Sequence, residues 1–149
     1  MQVIDQIVER TKKIASGQDD VKPGQQVGFT EACVAGDAIR QGDLYLIIRE
    51  SVPPGYEKVG QPKAIDKQLV PGNTVGAKHC LDALAGVEIF RLKNWNEESL
   101  DGPYLRISKE RTVLHPTHGA VVIPAGFTVE CRYQREFDRE QQRERRARD

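Results

Sequence analysis

The sequence predicts a mainly β protein: a small antiparallel sandwich or barrel with an amphipathic helix at its N-terminus and a charged helix at its C-terminus. Three observations predict this class. Short apolar runs of strand length recur between residues 43 and 134, turn residues separate them, and no long helical pattern interrupts the series. Several strands at this spacing are typical of sandwiches and small barrels rather than of alternating β and α units.

The N-terminal segment, residues 1–16, has the periodicity of an amphipathic helix. Its apolar side chains recur every three or four positions, and Gly17 follows as a stop. They form a stripe made of Val3, Ile4, Ile7, Val8, Thr11 and Ile14. Such a stripe needs a cover, which is either the body of the domain or another subunit.

Residues 17–28 are predicted to form a linker or surface loop, because they contain three glycines, a proline, two aspartates and three glutamines. The β-rich domain follows at residues 29–137. Six runs within it have the composition of strands. They lie at residues 44–49, 87–92, 104–107, 112–114, 120–123 and 127–133.

Two further segments of the body are predicted as turns or loops. Pro124, Ala125 and Gly126 fit a tight turn between the last two strands, since proline presets one φ and glycine tolerates a positive one. Residues 53–76 are punctuated by prolines and glycines and predict a long excursion from the sheet. Long loops are often functional, but an ordinary surface loop is an equal alternative.

The C-terminal segment, residues 138–149, is predicted to be a charged helix. Asp138 followed by Gln141 resembles a capping box at its start. Arginines and acidic residues alternate beyond it, so a nucleic-acid arm and a solvated helix are both readings of this segment. The acidic residues cancel most of the positive field, which favours the solvated helix.

Composition limits the class of protein. The chain has 149 residues, which fits one domain, and its 22 Lys and Arg residues balance 22 Asp and Glu residues. A net charge of zero gives no reason to expect nucleic acid as a partner, and it makes a homo-oligomer plausible.

Location in the cell is predicted from cysteines and apolar runs. Three cysteines, an odd number at wide spacings, argue for reduced thiols and against a disulfide framework. The N-terminus lacks an apolar signal core, and the longest apolar runs fall far short of the ~20 residues of a membrane-spanning helix. We therefore expect a cytoplasmic protein that does not enter a membrane.

The histidines are the strongest candidates for chemistry. His115 and His118 are three residues apart in a turn-like segment, and His79 with Cys80 lies in a second segment. Neutral imidazole and thiolate both suit zinc and similar divalent transition metals, so these four residues form a candidate metal site. The alternative is structural: His115 and His118 hydrogen-bond the turn backbone, and His79 is a half-buried polar group.

Other reaction classes find less support. No glycine-rich turn ends in Gly-Lys-Ser/Thr, so a phosphate-binding loop is not predicted. A thiol nucleophile would have to pair Cys80 with His115 or His118, because neighbouring residues on a strand point to opposite faces. Nothing in the sequence supports that pairing over the metal site.

A series of motifs covers about residues 41–138. The motifs are Gln41-Gly42-Asp43, Gly76-x-x-His79-x-Leu81, Gly102-Pro103-Tyr104-Leu105, His115-Pro116-x-His118-Gly119, Ile123-Pro124-Ala125-Gly126-Phe127-x-Val129 and Gln134-Arg135-Glu136. Taken together, they resemble a group of short, uncharacterised β-rich proteins from phages and bacteria. Many members carry a second histidine where this chain has Ala77, and that departure weakens a rich metal site. The resemblance implies the domain and no particular reaction.

Two functions from different classes follow. The first is a non-enzymatic binding or assembly module, phage- or prophage-linked if the resemblance holds, which contacts itself or a protein partner through the N-terminal helix. The second is a metal-dependent enzyme or metal-binding protein that uses His79, His115, His118 and Cys80.

Overall fold

The computed structural model describes residues 20–70, 78–95 and 101–133, and within them it confirms a mainly β architecture. One short 3-10 helix, Ala64–Lys67, accompanies the strands. The strands are β1 (Gln26–Gly28), β2 (Ala38–Gln41), β3 (Leu44–Arg49), β4 (Tyr56–Lys58), β5 (Cys80–Leu81), β6 (Val87–Leu92), β7 (Asp101–Ile107), β8 (Arg111–Leu114), β9 (Ala120–Ile123) and β10 (Thr128–Tyr133).

Both predicted helices, at residues 1–16 and 138–149, lie outside the described residues. Among the residues that the structure describes, no helix is long and apolar enough to cross a bilayer.

The strands form two sheets. A four-stranded sheet has the order β1-β9-β8-β5, and a six-stranded sheet has the order β2-β3-β10-β7-β6-β4. Neighbouring strands are antiparallel except β1, which runs parallel to β9. The hairpin of β2 and β3 places Gln41 opposite Leu44, so Gly42 and Asp43 form its two-residue loop.

One hydrophobic core joins the two sheets. Leu46 and Ile48 of β3 belong to the same buried cluster as Val113 of β8 and Val121 of β9. Because alternate residues of a strand point to opposite sides, these positions fix the inward side of each sheet. Full burial of each such side chain contributes about 1.5–3 kcal/mol.

Several predicted strands agree closely with the structure. The runs at residues 44–49, 87–92 and 120–123 are β3, β6 and β9. The predicted turn at Pro124, Ala125 and Gly126 is also present, and Gly126 takes a φ of 100°.

Two predicted loops contain more structure than expected. Residues 17–28 include β1, and Val21 is only 4% exposed. The excursion at residues 53–76 includes β4 and the 3-10 helix. The strands β1 and β4 form because each pairs with a neighbouring strand, β1 with β9 and β4 with β6. The local composition does not reveal these contacts.

The outward sides of the two sheets carry different residues. On the four-stranded sheet the outward side chains form an uncharged face, which consists of Gln26, Cys80, Thr112, Leu114, Ala120 and Val122. On the six-stranded sheet they include a charged face, which consists of Arg40, Arg49, Lys58, Glu88, Arg106, Glu130 and Arg132.

Candidate functional site

The three histidines lie together, although they come from two distant segments. The ring centroids of His79 and His115 are 4.4 Å apart, and those of His115 and His118 are 4.6 Å apart. His79 immediately precedes β5, whereas His115 and His118 lie in the segment that joins β8 to β9. Pairing of β5 with β8 brings the two segments together.

His79 is completely buried, and both of its ring nitrogens have partners. Its Nδ1 lies 2.8 Å from Oε1 of Gln41, and its Nε2 lies 2.7 Å from Oδ1 of Asp43. The structural alternative to metal binding described His79 as half-buried, and the structure corrects the extent of burial. A buried imidazole needs both of its polar atoms satisfied, and here they are.

Gln41 determines which atoms meet His79. Its Nε2 donates to the carbonyl oxygens of Val113, at 3.0 Å, and Gly119, at 2.7 Å. The amide oxygen therefore faces His79 and accepts a hydrogen bond from Nδ1. The Asp43 carboxylate faces Nε2 on the other side, so the ring of His79 is held between two side-chain oxygens.

The pKa of Asp43 reflects this pairing. Partial burial pushes the pKa of its carboxyl group upward, but the hydrogen bond from His79 and the positive charge of that ring outweigh it, so the pKa lies below the ordinary value of 3.8. The side chain is still 47% exposed. Asp43 thus links the buried histidine to the surface of the hairpin loop.

A second carboxylate pairs with His118. Oδ2 of Asp20 lies 3.2 Å from Nδ1 of His118, and Oδ1 of Asp20 accepts a hydrogen bond of 2.8 Å from the backbone N–H of Gly42. The His118 ring packs directly over Gly42, where an added Cβ would lie 2.7 Å from Nε2. Gly42 also has a φ of +59°, so both its backbone and its neighbour require glycine.

His115 organises the turn that contains it. Its Nδ1 accepts hydrogen bonds from the backbone N–H groups of Thr117, at 3.1 Å, and His118, at 3.2 Å. An accepting nitrogen carries no proton, so these bonds require Nδ1 to be unprotonated. This turn is the structural role that the sequence offered as the alternative to metal binding.

Gly119 closes the site against the segment that carries Asp20. Its N–H donates to the carbonyl oxygen of Val21, and a Cβ at this position would meet the backbone oxygens of Lys22 and Gln25. The close approach explains glycine here. It also holds Asp20 beside the hairpin loop.

Cys80 points away from the histidines. It is the first residue of β5 and is half-buried on the outward side, whereas His79 and Leu81 are buried. Among the residues that the structure describes, no group of three His, Cys, Asp or Glu side chains could hold a metal ion as arranged. The four-residue metal site remains a prediction, with His79 already bonded through both nitrogens.

Sequence reasoning did not identify Asp20, Gln41 and Asp43 as members of the cluster. Gln41 and Asp43 lie 38 and 36 positions before His79, so spacing along the chain gives no sign of the contact. The signal available was the Gln-Gly-Asp sequence ahead of an apolar strand, which marks a hairpin loop with two polar flanks.

The arrangement links four pieces of the chain: the segment at Asp20, the hairpin loop, the start of β5 and the β8–β9 turn. Two aspartate–histidine pairs make it strongly polar. Such pairs orient imidazoles in metal sites and in general-base catalysis, and they also fasten loops in folds without either activity.

A search of curated proteins and of solved structures found no match to this chain. The model of one protein family, described as Domain of unknown function (DUF8820), matches residues 40–134. The matched span includes Gln41, Asp43 and all three histidines, whereas Asp20 and β1 precede it. Because the match covers more than half of the chain, the protein belongs to this family.

Proposed function

We propose that the chain is a small binding or assembly module that contacts itself or a protein partner, and that it does not act as an enzyme. The observation that carries this proposal is an exposed apolar side chain on the uncharged outward side of the four-stranded sheet. Leu114 of that sheet is 47% exposed. The outward side of an antiparallel sheet is ordinarily polar, and apolar residues there are typical of contact surfaces.

The role of the histidine cluster supports this proposal. His79 is bonded through both nitrogens inside the fold, and His115 accepts from two backbone N–H groups of its own turn. Groups used in this way hold loops in place. They are poorly placed to take part in a reaction on a bound molecule.

Contact through the N-terminal segment is part of the same proposal. The apolar stripe at residues 1–16 predicts a helix that needs a cover, and a neutral chain does not repel its own copies. A link to phages or prophages rests on the resemblance alone.

Deleting residues 1–16 tests the proposal. We expect the full chain to form a defined oligomer or complex, measured as mass by light scattering, and the shortened chain to lose that assembly. Circular dichroism of the shortened chain checks that the β body is still folded. A full chain that is monomeric, and a shortened chain that is monomeric as well, would contradict the proposal.

Metal binding is the second candidate, and one observation favours it. His118 faces Asp20 through Nδ1, so Nε2 would be the ligand atom, and a carboxylate on the other ring nitrogen is the usual support for a metal-bound histidine. The neighbouring ring of His115 would supply the second ligand. Zinc is the metal that imidazole ligands suit best here.

Metal content separates this candidate from the module. A metal-binding protein would contain about one equivalent of zinc or a similar ion per chain, and the His115→Ala, His118→Ala double variant would lose it. A purified chain without metal, which also fails to take up added zinc by calorimetry, would rule the candidate out.

A further inference from the structure

We propose that residues 20–29 form an exchangeable strap, which fills a site on its own chain in the monomer and the same site on a second copy in a dimer. This inference rests on the self-association in the proposed function and gives it a mechanism. The strap site consists of the free edge of β9 and the neighbouring end of the β2–β3 hairpin. The structure shows the strap seated there, so the occupant of the site is known. The family match begins at residue 40, so the strap lies outside the matched domain.

The start of the strap is anchored to the hairpin. The carboxylate of Asp20 accepts a hydrogen bond from the N–H of Gly42 and faces the ring of His118. The N–H of Val21 donates to the carbonyl oxygen of Arg40 at 3.3 Å, and Val21 is only 4% exposed. The strap therefore brings one carboxylate and one buried apolar side chain to fixed positions on the domain.

The rest of the strap fits closely along β9. Gly28 pairs with Val122, and a Cβ on Gly28 would lie 2.9 Å from the carbonyl oxygen of Val122. The N–H of Phe29 donates to the same oxygen at 3.1 Å, and the Phe29 side chain is buried. Just before β9, the N–H of Gly119 donates to the carbonyl oxygen of Val21 at 3.1 Å. Main-chain hydrogen bonds together with buried alternate side chains are the usual means by which a sheet edge recognises an added strand.

The strap reaches this site without a tight connection to it. β1 runs parallel to β9, and parallel strands are not joined by a hairpin turn. Every contact between the strap and its site therefore stays the same when the strap comes from another copy. The strap of the same chain is favoured by its effective concentration, which is on the order of millimolar for a short flexible connection. Exchange is accordingly expected at high protein concentration.

Residues 30–36, the hinge, connect the strap to the segment before β2. The hinge is folded into a tight turn, in which the N–H of buried Cys33 donates to the carbonyl oxygen of Thr30 at 3.0 Å. Gly36 has a φ of +97°, and nothing lies within 4 Å of an added Cβ there. This conformation favours glycine for its backbone alone. An extended hinge gives up the turn and leaves the contacts of the strap intact.

The exposed side chains of the hinge favour a second copy as the partner. Ala32, Val34 and Ala35 are exposed, and Val34 has 59% of its surface in water. In a dimer with exchanged straps, the two hinges cross side by side about a two-fold axis, so each meets the same residues of the other. Their apolar side chains can then cover one another, a gain that the monomer lacks. Every copy of the chain also carries a strap of the required sequence.

Cysteine variants combined in one sample test which chain supplies the strap. One chain carries Gln26→Cys and the other carries Ala120→Cys, at positions that pair directly. Both also carry Cys80→Ser, because the native Cys80 is only half-buried. The two chains are co-expressed, concentrated and mildly oxidised, and peptide mapping identifies the disulfide. Gln26→Cys combined with Lys109→Cys, an exposed position before β8, is the control for random collision.

We expect a disulfide that joins position 26 of one chain to position 120 of the other. Its yield should be at least tenfold higher than that of the control pair and should rise with protein concentration, since exchange makes one dimer from two monomers. A single chain with both substitutions checks the register. It should form the link within the chain when dilute and between chains when concentrated.

Two glycine variants test the hinge without any added cysteine. Gly36→Ala places a side chain at a φ of +97°, which strains the folded hinge and should favour the extended one. We expect the dimerisation constant, measured by sedimentation equilibrium, to rise about tenfold for each of the two hinges. Gly24→Ala is the matched control. Gly24 has a φ of +77° and equally open surroundings, but it lies within the strap, which keeps its conformation on exchange, so the constant should not change.

Each other outcome contradicts the exchange in a distinct way. An oligomer in which positions 26 and 120 are linked only within chains would overturn the exchange and leave the proposed function standing. A monomer at every concentration would overturn self-association itself. Equal dimerisation constants for Gly36→Ala and Gly24→Ala would show that the hinge does not open. If a cysteine variant fails to fold, as judged by circular dichroism, the two glycine variants decide the matter.

Discussion

The outward sides of the two sheets differ in how their apolar side chains are covered. On the six-stranded sheet, aromatic rings lie beneath arginines: Arg106 stacks over Phe90 at 5.0 Å, and Arg40 lies over Tyr45 at 5.9 Å. On the four-stranded sheet, Leu114 has no such cover. The comparison teaches that charged side chains can shield an apolar sheet surface from other chains, and that a surface without them is available for contact.

Ion pairs add to the charged side chains that cover the outward side of the six-stranded sheet. Arg49 and Glu130 meet at 2.8 Å, and Lys58 and Glu88 meet at 3.0 Å, on neighbouring or nearby strands. Glu88 lies between Lys58 and Arg106, and its pKa is lowered chiefly by the hydrogen bond from Lys58, against the opposing effect of desolvation. These contacts fix the long side chains across the sheet.

The largest expected effect comes from removing the side chain of His79, which joins the β2–β3 hairpin to the start of β5. His79→Ala should lower the free energy of unfolding by about 3 kcal/mol, because it leaves a cavity and strands the buried oxygen of Gln41. Urea denaturation measures the change, and Lys78→Ala, one residue away and exposed, should have no comparable effect. A His79→Ala protein as stable as the parent would refute the structural role of the cluster.

A matched pair of threonines sharpens the comparison between the faces. Thr112 and Thr128 both point outward and are both half-buried, but Thr112 is on the uncharged face and Thr128 is on the six-stranded sheet. Thr112→Arg should weaken self-association at least tenfold, equivalent to about 1.4 kcal/mol, and Thr128→Arg should leave it unchanged. Sedimentation equilibrium measures both, and equal effects would remove the distinction between the faces.

Acid should weaken the contact between Asp43, in the hairpin loop, and the buried His79. The folded-state pKa of Asp43 is lower than its ordinary value of 3.8, so its pairing with His79 stabilises the fold above about pH 4, and this stabilisation is lost as the pH falls through the folded-state pKa. Since the side chain is about half exposed, solvent limits the effect to about 1 kcal/mol. Thermal unfolding between pH 2 and 5 should show a smaller slope in Asp43→Asn, and an identical slope would contradict the pairing.

The smallest expected effect on stability comes from removing one ion pair on the outward side of the six-stranded sheet. Arg49→Ala should cost about 0.5 kcal/mol of stability at low salt and less at 1 M salt, because partly exposed ion pairs are weak and are screened. Chemical denaturation at the two salt concentrations measures this. A salt-independent loss would indicate that packing of the arginine, rather than its charge, protects the sheet.

Strands with strong local signals were predictable from the sequence. β3 and β6 are apolar runs bounded by turn residues, and their limits coincide with the prediction. β1, β2, β4 and β5 were missed, because each is only two to four residues long and has no alternation of apolar and polar residues long enough to mark a strand. Their strand structure comes from pairing with β9, β3, β6 and β8.

The candidate site was partly predictable for a similar reason. Three histidines in two short segments indicated a cluster, and the rings do lie together. Their partners Asp20, Gln41 and Asp43 come from the first third of the chain, so only the folded positions of β1 and of the β2–β3 hairpin reveal them. Whether a histidine binds a metal or holds a loop depends on those partners.

One measurement tests the central claim most directly: elemental analysis and mass in solution on the same sample of purified full-length protein. The account predicts a defined oligomer, a multiple of the 16.7 kDa chain, without stoichiometric metal. A monomer of 16.7 kDa that contains about one equivalent of zinc or a similar metal would contradict it. That result would make the histidine cluster, rather than a sheet face, the functional part of the molecule.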